Sequence, residues 1–194
     1  MNFLHTLQSR HIILGSGSPR RKQFLEDLGL DFEIRLKPVE ENFPPQLPIA
    51  EVASYLAKLK TRPYMKELKA EEILITGDTI VCRDGQVLGK PKSFREAFAM
   101  LRSLSGRSHR VISSACLRTN QKEFLASDTT RVYFKSLGDE EIEYYLNTFK
   151  PYDKAGAYGI QEWIGKIGIE KIEGSFYNVM GMPVNKVYKC LSEI

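Results

Sequence analysis

Histidine is scarce in this chain. Only His5, His11 and His109 occur among 194 residues, which leaves little material for a histidine-based triad or a histidine metal cluster, and each reads as a bland surface or strand residue. Cysteine is equally sparse. Cys82, Cys116 and Cys190 are odd in number and far apart, which fits neither a disulfide framework nor a zinc site and points to a reducing compartment, with cytoplasm the expectation. No apolar run approaches membrane-spanning length, and Met1 to Arg10 hold no apolar segment of signal-peptide size. A Walker-type Gly-x-x-x-x-Gly-Lys-Ser/Thr run is also missing, which excludes a P-loop mechanism. There is no internal repeat, low-complexity segment or linker. What is present is a chain long enough, at 42% hydrophobic and 27% charged, to bury a full core as one domain over residues 1–194. Its net charge of +4 is modest and spread along the sequence, so it suits an anionic small molecule as well as nucleic acid.

The most informative stretch is Leu14-Gly-Ser-Gly-Ser-Pro-Arg-Arg21. Ile12, Ile13 and Leu14 read as a short buried strand, Ser18 as an N-cap and Pro19 as the first helical residue, where its missing N–H costs nothing. Phe24, Leu25 and Leu28 continue a helix that Gly29 ends. The free N–H groups and positive dipole end of that helix then point where Ser16, Arg20 and Arg21 cluster, an arrangement suited to a polyanion.

Downstream, the pattern predicts a strand over 32–36, a Pro-punctuated loop carrying Glu40 and Glu41, and a helix over 49–61 with Lys58 and Lys60 near its end. A buried strand over 72–82 is interrupted in its apolar character by Thr76-Gly-Asp-Thr79, and Arg83 to Gln86 make a hairpin turn. Ser93 to Glu96 is a capping-box pattern opening a helix that Gly106 ends. Strands over 109–118 and 122–135, an acid-started helix from Asp139 to Phe149, a hairpin around Gly174-Ser175 and a helix after Pro183 complete a mixed α and β order.

Asp78 stands out because a carboxylate inside an apolar strand is costly unless it is hydrogen-bonded, metal-bound or catalytic. Together with Arg20, Arg21, Lys60, Lys90 and an acidic group such as Glu41, it supplies what phosphoryl transfer demands: cations for phosphates, carboxylates for a divalent metal and a base for water.

Ser16-Gly-Ser-Pro-Arg-Arg21, Gly77-Asp-Thr79, Gly89-Lys-Pro91, Leu104-Ser-Gly-Arg-Ser-His109 and Asp153-Lys-Ala-Gly-Ala-Tyr-Gly-Ile-Gln161 resemble, in order and from end to end, the Maf family of nucleoside triphosphate pyrophosphatases. The resemblance implies an elongated mixed α/β fold of the inosine-triphosphatase-like type, two lobes flanking a nucleotide cleft, and frequently a homodimer. It implies that Asp78 is the proton acceptor for the water attacking the α-phosphorus, and that Arg20, Thr79 and Gln161 govern substrate choice. Ser16, Arg21, Lys60 and Lys90 match groups around the triphosphate, and Glu41 matches an acidic position assigned to a Mg or Mn ion, with the adjacent Glu40 able to serve instead. The chain departs from the common pattern at Gly77, where alanine is frequent, and at Glu162, where glycine often follows.

A uracil or thymine ring presents an N–H donor flanked by carbonyl acceptors, and the Gln161 amide offers the matching acceptor and donor. A related subfamily acting on 7-methyl-GTP carries Trp, Gln and Glu at the positions of Arg20, Thr79 and Gln161, a set suited to a cationic purine. The expected reaction is therefore hydrolysis of dTTP and UTP to the monophosphate plus pyrophosphate. The same reaction on 7-methyl-GTP or CTP is the enzyme alternative. A septum-formation inhibitor or a nucleic-acid-binding regulator is the non-enzyme alternative, and against nucleic-acid binding the chain lacks interleaved basic and aromatic stripes.

Overall fold

The computed structural model of the protein describes residues 10–194, so the expectations placed on residues 1–9, His5 among them, lie outside the described residues. In chain order the elements are β1 (His11–Leu14), α1 (Pro19–Asp27), β2 (Phe32–Ile34), α2 (Ile49–Leu59), β3 (Glu72–Arg83), β4 (Gln86–Leu88), α3 (Phe94–Leu104), β5 (Ser108–Arg118), β6 (Glu123–Phe134), α4 (Asp139–Phe149), α5 (Trp163–Gly168), β7 (Ile169–Glu173), α6 (Phe176–Met180) and α7 (Val184–Ser192). The strands form one mixed sheet in the order β2-β1-β3-β5-β6-β7, with β4 paired to β3. The expected α/β class is observed.

Two compact units divide the chain. The first takes the residues up to Asp78, Ser113–Asp128 and Gly181–Ile194; the second takes Thr79–Ile112 and Thr129–Met180. In the first unit β1 runs parallel to both β2 and β3, with Leu14 opposite Ile75. β3 reads as a nearly unbroken buried run because it lies inside the sheet. In the second unit, Leu101, Leu104, Val132, Ile142 and Leu146 belong to one apolar core cluster that also holds Tyr145 and Tyr158.

Several local expectations need correction. Ser18 sits at the N-cap but its side chain makes no capping bond; instead Ser16 Oγ accepts from the Ser18 N–H at 3.3 Å. Gly29 does stand in the left-handed conformation, at φ +67. α2 stops at Leu59 because Thr61 folds back, its N–H and hydroxyl both donating to the Lys58 carbonyl. At Ser93 only half of the capping box forms: its hydroxyl accepts from the Glu96 N–H at 3.2 Å, while the Glu96 carboxylate takes the Lys92 N–H instead. No hairpin forms at Gly174-Ser175. β7 already pairs antiparallel with β6, and beyond it Ser175 Oγ accepts the Asn178 N–H and α6 begins.

His109 is a strand residue, as expected, but it is buried at 3% exposure and not bland. Its Nε2 lies 2.7 Å from the Tyr158 hydroxyl while its Nδ1 is buried without a hydrogen bond. Burial, aided by repulsion from Arg83, pushes its pKa down to about 4. An unfolded chain would protonate this ring near 6.5 and the folded one does not, so its contribution to stability is present above about 6.5 and lost as pH falls to about 4. The shift corresponds to about 3 kcal/mol. Urea denaturation at pH 7 and pH 4.5 should show that loss in the wild type and a clearly smaller one in His109→Phe; equal losses would remove His109 as the cause.

Candidate active site

The parallel pairing of β1 with β3 brings the carboxyl end of β1 beside the middle of β3, and the Gly15 N–H donates to the Ile75 carbonyl at 2.8 Å. The hydroxyl- and arginine-rich turn therefore emerges next to Asp78, at the strand ends where α/β sheets place their ligands. Thr76 Oγ1 donates to the Ala57 carbonyl at 2.7 Å, which fastens β3 to the last turns of α2. Lys60, at the end of that helix, then reaches back to Asp78.

Several charges of the first unit converge here. Lys60 Nζ lies 2.7 Å from Asp78 Oδ1 and 3.0 Å from Glu41 Oε1. Arg21 donates from Nη1 to Ser16 Oγ at 3.1 Å and from Nε to the Gly181 carbonyl at 3.1 Å. Gly77 eases this approach: a Cβ there would stand 3.2 Å from Arg21 Nε and 3.0 Å from the Ser114 carbonyl oxygen, a tight fit that a shift of a few tenths of an ångström would relieve. Arg20, on the same first turn of α1, is close enough to repel the Arg21 guanidinium electrostatically. Ser16, Arg20, Arg21, Glu41, Lys60 and Asp78 thus form one cluster of three cations, two carboxylates and a hydroxyl, at the N-terminus of α1. Of the two acidic candidates in the loop, Glu41 joins the cluster and Glu40 bonds Asn42 instead.

Burial dominates the electrostatics. Asp78 is 7% exposed, and desolvation raises its pKa above the ordinary aspartate range, against the opposing pull of Lys60 and Arg21. Desolvation lowers the pKa of Arg21, with Asp78 acting the other way. An ionised, partly dehydrated carboxylate held between two cations is a competent proton acceptor, and the cations have charge to offer an incoming anion.

Thr79, Lys90 and Gln161 belong to the second unit. Thr79 directly follows Asp78 on β3. Lys90 is exposed beside Gly89, whose carbonyl accepts the Gly156 N–H at 3.1 Å, so the Gly-Lys-Pro segment and the Asp153-to-Gln161 loop are tied together. Gln161, with Lys166, Lys171 and Phe176, lines a cavity of about 430 Å³. Its Oε1 is buried and makes no hydrogen bond, an arrangement that is costly unless a donor arrives. Sequence reasoning missed the Gly181 carbonyl that holds Arg21, since a backbone acceptor 160 residues away carries no side-chain signal.

Residues 11–194 match the family described as Maf-like protein. The chain belongs to the Maf-like family. Among its relatives, the dTTP/UTP pyrophosphatase of Flavobacterium johnsoniae is 54% identical over 188 residues, 97% of each chain. Proteins of the same name from Flavobacterium psychrophilum and Christiangramia forsetii are 52% and 49% identical, covering 93% and 97% of this chain and 93% and 96% of theirs. A solved dITP/XTP pyrophosphatase from Mycobacterium abscessus aligns at 16% identity and a TM-score of 0.44, covering 64% of this chain and 74% of that one.

Proposed function

We propose that this member of the Maf-like family hydrolyses nucleoside triphosphates to the monophosphate and pyrophosphate in the cytoplasm, with dTTP and UTP as its substrates. The observation that carries the reading is the buried Asp78 carboxylate held at 2.7 Å by Lys60 within a cluster of cations at the N-terminus of α1. Asp78 takes a proton from water as its oxygen attacks the α-phosphorus. The bond from the α-phosphorus to the bridging oxygen breaks, and pyrophosphate leaves with that oxygen. Ser16, Arg21, Lys60 and Lys90 hold the phosphates and offset the charge that develops on them.

Glu41 is the residue that would hold a Mg or Mn ion. Its carboxylate oxygen faces a cationic group, Lys60 Nζ at 3.0 Å. Among the described residues no group of three or more Asp, Glu, His or Cys side chains is placed to hold a metal, so such an ion would need its remaining oxygens from substrate and water. When bound, such an ion supplies further neutralisation of the phosphates. Arg20, Thr79 and Gln161 choose the base. The buried, unpaired Gln161 Oε1 matches the ring N–H of uracil or thymine.

A panel of nucleoside triphosphates, incubated with the protein and magnesium or manganese, tests the reading through product identification. Monophosphate and pyrophosphate should appear from dTTP and UTP. Release of orthophosphate, or no cleavage of any nucleotide, overturns the reaction; preference for 7-methyl-GTP or CTP overturns the base assignment. Within that panel Lys90→Ala should lower kcat/KM about two- to fivefold for every base alike, because an exposed charge contributes little and carries no base-edge pattern. A loss confined to one base would remove Lys90 from the phosphate set.

A further inference from the structure

Gln161 Oε1 makes no hydrogen bond, so no partner at that atom fixes the amide, and its placement depends on the backbone that carries it. That backbone is held from both sides. Tyr145, fully buried on α4, places its hydroxyl between the two residues that bracket the Ile160-Gln161 pair: it accepts the Gly159 N–H at 3.0 Å and donates to Glu162 Oε2. The Glu162 N–H closes the same turn onto the Gly159 carbonyl at 3.0 Å. The other Glu162 oxygen meets Lys154 Nζ at 3.0 Å, and Lys154, itself only 9% exposed, also pairs with Asp153 at 2.7 Å. Between these anchors Ala157 is fully buried in a left-handed conformation at φ +61, a strain that persists only where surrounding contacts over-determine the chain.

A buried ion pair is a poor way to add stability, since well-packed apolar side chains of similar volume hold a loop as well or better. What directional bonds supply is one geometry in place of several. Resting on the reading of Gln161 as the residue that contacts the base, we infer that Tyr145 and Glu162 are positioning residues for base selection, fixing the Gly159-to-Glu162 turn so that the Gln161 amide meets the pyrimidine edge in one orientation. Burial and the neighbouring Glu162 carboxylate push the Tyr145 hydroxyl well above its ordinary range, so it stays protonated and keeps donating.

The test is a double-mutant cycle read as base discrimination, the ratio of kcat/KM for UTP to that for GTP. Tyr145→Phe should lower the ratio about fivefold or more, a coupling typical of residues in one network. The change should enter through KM for UTP, with kcat at saturation near the wild-type value. In a Gln161→Ala background, the same Tyr145→Phe change should leave the ratio where Gln161→Ala alone puts it. Glu162→Ala, at a half-buried position, should act in the same direction and serves where Tyr145→Phe fails to fold. A wild-type ratio in the folded Tyr145 or Glu162 variant, or an effect that persists fully in the Gln161→Ala background, overturns the inference while leaving the base assignment standing. A wild-type ratio in Gln161→Ala alone overturns both.

Discussion

Asp78→Asn is expected to lower turnover of dTTP and UTP by about 10²–10⁴-fold, the usual contribution of a positioned general base. The amide keeps the volume of the side chain and can still accept from Lys60, but it cannot take the proton of the attacking water. Nucleotide binding should survive, since Ser16, Arg21 and Lys60 remain to meet the phosphates. The fold should survive too. Burial raises the Asp78 pKa on folding despite Lys60 and Arg21, so the charged form costs the folded state stability at every pH above that pKa, and a neutral side chain escapes the cost. Thermal unfolding at pH 7 should therefore show the variant no less stable than the wild type. The same raised pKa sets the acidic limb of the pH profile. Activity should fall, as pH drops, at a value above the ordinary aspartate range, because the base must be ionised to work. Wild-type rates in Asp78→Asn would remove this residue from the chemistry.

Much of this was legible in the residues because its causes are local. The run from Ile12 to Arg21 carries a strand, a turn and a helix start within itself, and Pro19 and Gly29 mark the ends of α1 where the structure has them. Asp78 was visible as a charge inside an apolar strand. The pairing of charges was not. Whether Glu40 or Glu41 meets Lys60 depends on the path of a Pro-rich loop that has no period to read, and the position of Lys60 over Asp78 depends on Thr76 fastening β3 to α2. The short helices α5 and α6 escaped for a related reason. With six and five residues, they are too short for an apolar stripe to recur, and tertiary anchors such as the buried Asn178 side chain on the Val111 carbonyl hold α6 in place.

Gln161→Glu should cost the enzyme its preference for uracil and thymine. The exchange preserves length and branching but replaces the amide donor with a second anionic acceptor, so a base carbonyl that received an N–H would face a carboxylate. The oxygen corresponding to Oε1, buried and unpaired in the free protein, can still accept the ring N–H. Half of the two-point pattern is therefore lost and half kept. Leaving one buried polar group unsatisfied costs about 1–3 kcal/mol, which is about 5–150-fold in kcat/KM for dTTP or UTP. Guanine nucleotides should suffer less, because their paired N–H donors can use a carboxylate. Full purine specificity is not expected, since Arg20 and Thr79 remain and the size of the pocket is unchanged. The quantity to measure is the ratio of kcat/KM for UTP to that for 7-methyl-GTP in wild type and variant. An unchanged ratio in a properly folded variant would mean that Gln161 does not touch the base, and the unpaired oxygen would then need a different partner.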